Sequence, residues 1–546
     1  MITFRRPVEL LPAPSDYAGL RTTWRRDVVA GVTVGVVALP LALAFGISSG
    51  VGAAAGLVTA VIAGLVAAVF GGSKVKVSGP TGAMAVVLAP IVATHGVGSI
   101  ALVTVLAGVI VLVAGVTGLG RAVTVIPWPV VEGFTLGIAT IIFVQQVPAA
   151  LGSASTAGTG PLAAAYHAVT QMRWATAGPA LTVVAVTVAV IVLAPRVHRA
   201  IPASLAAVVG ATGAAVAVDL PVARIGALPA ALPAPVLPHA DLATIGSLVG
   251  AALAIAALAA IESLLSARVA ATMSTTGAYD PDRELTGQGL ASVAAGVFGG
   301  MPATGAIART AVNVRSGASS RVSAIVHSLL LMAVVYLAAT PVALIPLAAL
   351  SAVLMTTSLR MISVSTVLRI LRSTRGDAAV FVLTALITVC FDLIEAVQIG
   401  VIAAAVLALR TIARGSGVSR EPLPGPAHPR DDRIALLRIH GAMFFGAAEK
   451  ISTTIGAEQA LDEVDVVILA MSRVDVLDAT GANAVAELAT QLERRGITVI
   501  VKGVAPEQAR LMASIGVIDT LRNERHLVDT LEQALAHARS HLRATG

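Results

Sequence analysis

Charge is what this 546-residue chain has least of: Asp, Glu, Lys and Arg make up 12% of it, against about 25% in an ordinary soluble domain. With 56% hydrophobic residues and a mean hydropathy of +0.89, that shortage excludes a soluble globular protein and points to the membrane. Aromatics are scarce as well, at 3%, which removes the stacking surfaces that a nucleic-acid-binding protein pairs with its basic charge. The net charge of +7 sits instead in short loops between apolar runs, where Lys and Arg set topology. The single cysteine, Cys390, lies inside an apolar run, so no intrachain disulfide forms and the redox compartment stays open. Metal-ligand clusters, nucleotide loops and nucleophile–base pairs are missing too, so no metal, cofactor, enzyme activity or ATP-driven step is expected. The segment Met1–Asp27 is polar and followed by a full-length apolar run, which is not the pattern of a cleavable signal peptide.

What the chain has is long apolar runs. A bilayer-spanning helix takes roughly 20 apolar residues, and runs of that kind fall near 28–49, 52–70, 98–117, 122–148, 175–194, 200–218, 242–267, 321–340, 342–358, 377–391 and 394–413. The runs 80–94 and 304–314 are too short to cross alone, and 285–300 is weakly apolar at its start. Together they make fourteen segments, with a short one third in each set of seven. The sequence therefore predicts a duplicated seven-helix unit, with repeats at about 28–218 and 242–413. An odd helix number turns the second repeat upside down. Basic residues at the N-terminus, at Lys74 and Lys76, Arg121, Arg196, Arg268, Arg315, Arg321 and Arg360 to Arg375 share one face, read as cytoplasmic, which places both termini there. The stretches 149–174 and 219–241 fall outside.

The two short segments are also the two places where the chain repeats itself. "AAVFGGSKVKVSGPTGAMA" spans Ala67 to Ala85, and "AGVFGGMPATGAIA" spans Ala295 to Ala308. Interrupted helices at matching positions of an inverted repeat mark a transporter's binding site near the bilayer midplane. Gly71, Gly72, Gly79, Gly299 and Gly300 permit the breaks, and Thr81 and Thr304 are expected to open two helices whose N-termini face one spot. Free N–H groups and positive dipole ends there suit an anion. Two simple kinks in packed helices are the other reading of the same residues.

Glu262 stands alone in "TIGSLVGAALAIAALAAIESLLSARVA". An ionisable side chain inside a span is costly and functional by default; it could take up a proton, coordinate a cation or pair with a buried Arg, or serve as a purely structural carboxylate. Arg309, near the start of the second short segment, either lends its charge to the anion or snorkels to the cytoplasmic face. Beyond Arg414 the composition changes. A Pro/Gly linker over 414–432 precedes a soluble α/β domain over 433–546, with strands at "IALLRIHG", "VDVVILAM" and "ITVIVKGV" and helices at "GANAVAELATQLERRG" and 505–515.

Several stretches carry a resemblance to the SulP family of anion transporters, solute carrier family 26 in its vertebrate branch. They are "LPLALAFGI" (Leu39 to Ile47), "SGPTGAMAVVLAP" (Ser78 to Pro90), "AAIESLLSA" (Ala259 to Ala267) and "DRELTGQGLASVAAGVFGGMPATGAIARTAVNVRSGA" (Asp282 to Ala318). The resemblance implies a seven-plus-seven inverted repeat of core (helices 1–4 and 8–11) and gate (5–7 and 12–14), a cytoplasmic STAS domain and a homodimer in the cytoplasmic membrane. It implies that Phe45, Thr81, Gly82, Ala83, Gly305, Ala306, Ile307 and Arg309 bind the substrate, and that Glu262, grouped with Ser266, couples transport to an ion. Cyanobacterial bicarbonate transporters carry Asp and Thr, both associated with sodium, at the positions of Glu262 and Ile307. Ile307 offers no oxygen to a hard cation, so protons are favoured over sodium. "DVLDATGANAV" resembles the phosphate-accepting loop of anti-sigma-factor antagonists, leaving Thr480 as a regulatory hydroxyl or as part of an unmodified helix cap.

The expectation is a proton-coupled secondary transporter of bicarbonate, sulfate or a C4-dicarboxylate. An uncoupled anion channel, a nucleobase permease of the same architecture and a membrane-anchored STAS regulator are its rivals.

Overall fold

The computed structural model describes residues 10–17, 19–123, 127–153, 160–197, 202–238, 241–390, 416–426, 428–443, 463–521 and 523–544, with isolated positions between 399 and 409. The last expected span, 394–413, lies outside the described residues apart from those positions. The chain divides into two units, Met1–Val401 and Ile402–Gly546.

The first unit is helical because lipid offers no partner for a free N–H or C=O, so backbone polar groups must be satisfied within the segment. Its helices are α1 (Leu20–Ser48), α2 (Ala53–Phe70), α3 (Gly82–His95), α4 (Ser99–Val116), α5 (Trp128–Gln145), α6 (Trp174–Val197) and α7 (Ala203–Ala217). The second repeat supplies α8 (Leu242–Met273), α9 (Pro281–Val297), α10 (Ile307–Arg315), α11 (Val322–Leu337), α12 (Leu347–Met361) and α13 (Arg375–Cys390). Among the described residues, seven helices are long and apolar enough to cross a membrane. The order of long and short segments is the one expected of an inverted repeat. One difference is a helix at Pro161–Thr170, inside a stretch expected to be an external loop.

Two groups of helices emerge from the packing. α9 lies along α4 and α2, and α11 along α1 and α2, so α1–α4 and α8–α11 form the core. α13 packs on α5, α12 on α6 and α5, and α7 on α6, which makes the gate. Small residues allow the close approach within the core: a Cβ at Gly289 of α9 would meet the Leu112 amide nitrogen of α4 at 2.4 Å. Leu43, Met84, Leu88, Ile255 and Leu285 are fully buried between these helices.

The second unit is a five-stranded sheet in the order β3-β4-β5-β6-β7 (Gly417–Glu421, Ile434–Met443, Val466–Leu477, Thr498–Lys502, Leu527–Val528). β3 is antiparallel to β4 and the remaining pairs are parallel. β5 opens on a continuous apolar run, Val466 to Met471, because both its faces are covered there. Leu437, Leu469 and Val499 face one core, and Ile468 and Ile500 face another closed by α16 (Leu531–Ala544). Among the described residues the other two α-helices of this unit are α14 (Ala479–Arg494) and α15 (Pro506–Ser514). Strand β3 falls inside the stretch read as linker, where its single apolar residue, Val418, left no period to detect.

Candidate functional site

The two breaks in the helices meet. β1 (Ser78–Gly79) and β2 (Thr304–Gly305) pair antiparallel, with Ser78 opposite Gly305 and Gly79 opposite Thr304, and the Ala306 amide donates to the Val77 carbonyl at 2.9 Å. Each repeat thus satisfies the non-helical backbone of the other, as a break at membrane depth requires. Gly305 has no room for a side chain, since a Cβ would lie 2.8 Å from that of Ser266 and 3.0 Å from the Ser263 Cα.

Beyond the strand pair each chain turns into its half-helix. Thr81 is the N-cap of α3, with extended backbone, yet its hydroxyl makes no capping bond. It donates instead to Glu262 Oε2 on α8, at 2.9 Å. Thr304 donates to the same oxygen at 2.6 Å and lies 3.1 Å from the Thr81 hydroxyl. One carboxylate oxygen therefore gathers a hydroxyl from each repeat, beside the first-turn N–H groups of α3 that no helical carbonyl can satisfy. α10 begins at Ile307 rather than at Thr304, which lies in β2 because the strand pairing holds it extended.

Arg309 does not snorkel. Only 2% exposed, it donates Nη2 to the Pro80 carbonyl at 2.5 Å, while Nη1 is buried without a hydrogen bond. A full positive charge thus stands at the junction of the half-helices. Gly79 makes space for it: its φ is +152°, and a Cβ there would sit 2.8 Å from Arg309 Nη1.

Phe45, Gly82, Ala83, Gly305 and Ala306 are buried around this point. A methyl on Gly82 would lie 3.1 Å from the Phe45 ring and would strike Ile142 of α5 at 2.2 Å, so α3 reaches the gate through this glycine. Two candidates are placed differently. Ile307 is 40% exposed. Ser266 is buried in a hydrogen bond to Thr310 at 3.0 Å, and Thr310 accepts from the Val77 amide at 3.0 Å, so this serine ties α8 to α10.

Behind the strand pair lies a buried polar network that composition did not reveal. Lys76 pairs with Glu284 and donates to Gln288 Oε1 at 2.9 Å, where Ser78 also donates at 2.9 Å. Gln288 reaches the Ala303 carbonyl at 2.8 Å, and Glu284 accepts from the Gly72 and Ser73 amides at 3.0 and 2.9 Å. Lys76 and Arg321, counted as loop cations when topology was read, are 4% and 1% exposed, and each has a partner inside the protein: Glu284 for Lys76, Asp16 and the Ala68 carbonyl for Arg321. The signal for Gln288 was the weak apolarity of the run at 285–300, and Glu284 lies just before it.

In the second unit, Asp478 caps α14 by accepting from the Gly481 amide at 2.7 Å, so Thr480 is an exposed first-turn residue and not the cap. Although no metal-ligand cluster was expected, His526, His537 and His541 come together there.

Comparison with known proteins places this geometry. The sulfate permease family profile matches residues 24–384, and the STAS domain profile matches 426–534. The chain belongs to the sulfate permease (SulP) family of anion transporters. Its relatives include the bicarbonate transporter BicA of Synechocystis, 31% identical over 94% of this chain and 94% of that protein. A Bacillus subtilis protein provisionally named as the sulfate transporter YvdB is 32% identical over 93% of this chain and 96% of its own. The transmembrane domain of a cyanobacterial BicA superposes with a TM-score of 0.62 at 34% identity, covering 70% of this chain and 97% of that domain. The murine anion transporter Slc26a9 superposes with a TM-score of 0.86 at 18% identity over 98% of this chain and 96% of that one, which shows the shared fold. This SulP protein is therefore a multi-pass membrane transporter and not an enzyme, and membership sets the nucleobase-permease and regulator readings aside.

Proposed function

We propose that this SulP protein is a proton-coupled secondary transporter that binds a small oxyanion (bicarbonate, sulfate or a C4-dicarboxylate) between the N-termini of α3 and α10. The observation that carries the reading is the Glu262 carboxylate, held by Thr81 and Thr304 at the spot where the half-helices and Arg309 offer positive charge. A deprotonated Glu262 is a resident anion: it engages both hydroxyls as an acceptor and repels a second negative charge. At 4 Å and an effective dielectric near 20, that repulsion is about 4 kcal/mol, roughly a thousandfold in affinity. Protonation removes the repulsion and frees the threonine hydroxyls for substrate, so proton and anion bind together. Arg309 and the buried N–H groups then neutralise the anion. Ile307 supplies no oxygen for sodium, which supports the proton as coupling ion.

Transport proceeds by movement of the core against the gate, with the Gly82–Ile142 contact as one of the surfaces that slides. The protein is a homodimer in the cytoplasmic membrane with both termini cytoplasmic, a reading supported by the basic loops and the family resemblance. Uptake of labelled bicarbonate, sulfate and fumarate into proteoliposomes, with and without an inward proton gradient, tests the proposal. Accumulation of one anion above equilibrium when the gradient is present is expected. Downhill equilibration carrying current, with no response to the gradient, identifies an uncoupled channel.

A further inference from the structure

Three histidines that the sequence scatters meet in the second unit. His526 ends the short turn before β7, while His537 and His541 lie four residues apart on α16 and so share a face. A ring nitrogen from each lies within 4.8 Å of the other two. The ring centroids are 5.2, 5.2 and 4.9 Å apart and the rings meet edge to face, at 65° to 86°. His526 is 2% exposed, and His537 Nε2 is buried without a hydrogen bond, a state that costs free energy unless something takes up the lone pair or proton.

We propose that His526, His537 and His541 form a binding site for a zinc-class divalent ion, with a coordination position left open to water. Three imidazoles match the borderline-soft preference of zinc and exclude calcium and magnesium, which take oxygen. Zinc–nitrogen bonds of about 2.0–2.1 Å put tetrahedral ligand atoms roughly 3.3 Å apart. The nitrogens therefore draw in by about 1.5 Å at most, a movement that side-chain rotation supplies. Arg525 opposes a cation here, and Asp529 lines the same surface cavity as His537 and Arg525. The bound ion ties the turn before β7 to α16, at the edge of the sheet where the strand is only two residues long.

The test uses the full-length protein in detergent, purified on a tag without histidine and stripped with EDTA. Zinc is titrated against a chromogenic chelator, and Co²⁺ is substituted for its optical spectrum. The expected result is one equivalent of zinc per chain and the intense bands of tetrahedral Co²⁺. Both should disappear in His537→Ala and His541→Gln and persist in His428→Ala, an exposed residue outside the cluster. Circular dichroism establishes that the variants are folded. The wild-type reading stands by itself if a variant is not: failure to bind zinc stoichiometrically, or only the weak spectrum of octahedral Co²⁺, overturns the proposal. So does a full equivalent of zinc retained by folded His537→Ala.

Discussion

Arg309 of α10 donates Nη2 to the Pro80 carbonyl of the opposite repeat at 2.5 Å, leaving Nη1 buried without a partner. In the proposed mechanism the unpaired arm of this guanidinium receives the oxyanion. Arg309→Ala removes a charge-assisted hydrogen bond of about 1.5–3 kcal/mol from the bound state, so substrate affinity should fall roughly 10- to 100-fold. Arg309→Lys should recover part of it, because a point charge replaces the fork. Concentration-dependent uptake in proteoliposomes reads both; unchanged affinity in Arg309→Ala contradicts the assignment.

Lys76 and Glu284 are an ion pair sealed from water between the two repeats. Removing one partner strands a buried charge, at a cost of about 3–5 kcal/mol, whereas replacing both is much milder. Lys76→Met should therefore destabilise strongly, and Lys76→Met with Glu284→Gln should recover most of the loss. Thermal unfolding of the detergent-solubilised variants measures this. Equal destabilisation in the single and double variants means that the pair is not coupled.

Asp16, in the N-terminal turn, accepts two hydrogen bonds from Arg283, at 3.0 and 2.6 Å. Burial by itself would raise its carboxyl, but Arg283, the Ala13 amide and the Arg321 charge outweigh burial and hold it at about 2, below the ordinary 3.8. A depressed carboxyl stabilises the fold above its unfolded pKa and loses that contribution as pH falls, here between about 4 and 2. The shift corresponds to about 2 kcal/mol. Wild type should exceed Asp16→Asn by about that amount at pH 5, with the difference vanishing toward pH 2 in unfolding measurements. A pH-independent gap contradicts it.

The broken helices were legible because both carry the same local chemistry, Val-Phe-Gly-Gly before and Thr-Gly-Ala after. Glu262 was legible because a lone carboxylate in an apolar run has no cheap explanation. Counting loop cations registered Lys76 and Arg321 as charges but not the distant partners that bury them. Thr304 was placed in a helix because its pairing with Gly79, 225 residues away in sequence, is a tertiary fact. The histidine cluster was half visible: "HARSH" puts His537 and His541 at helical spacing, but His526 joins them only through the fold of the sheet edge.

If protonation of Glu262 admits the anion, as proposed, the difference shows most plainly between wild type and Glu262→Gln in proteoliposomes under an imposed proton gradient. Gln keeps an acceptor for Thr81 and Thr304 but cannot titrate. Glu262→Gln should still bind the anion, as shown by substrate protection against thermal unfolding, while its uptake should no longer respond to pH or to the gradient. Gradient-driven accumulation in Glu262→Gln equal to that of wild type rules out Glu262 as the coupling group.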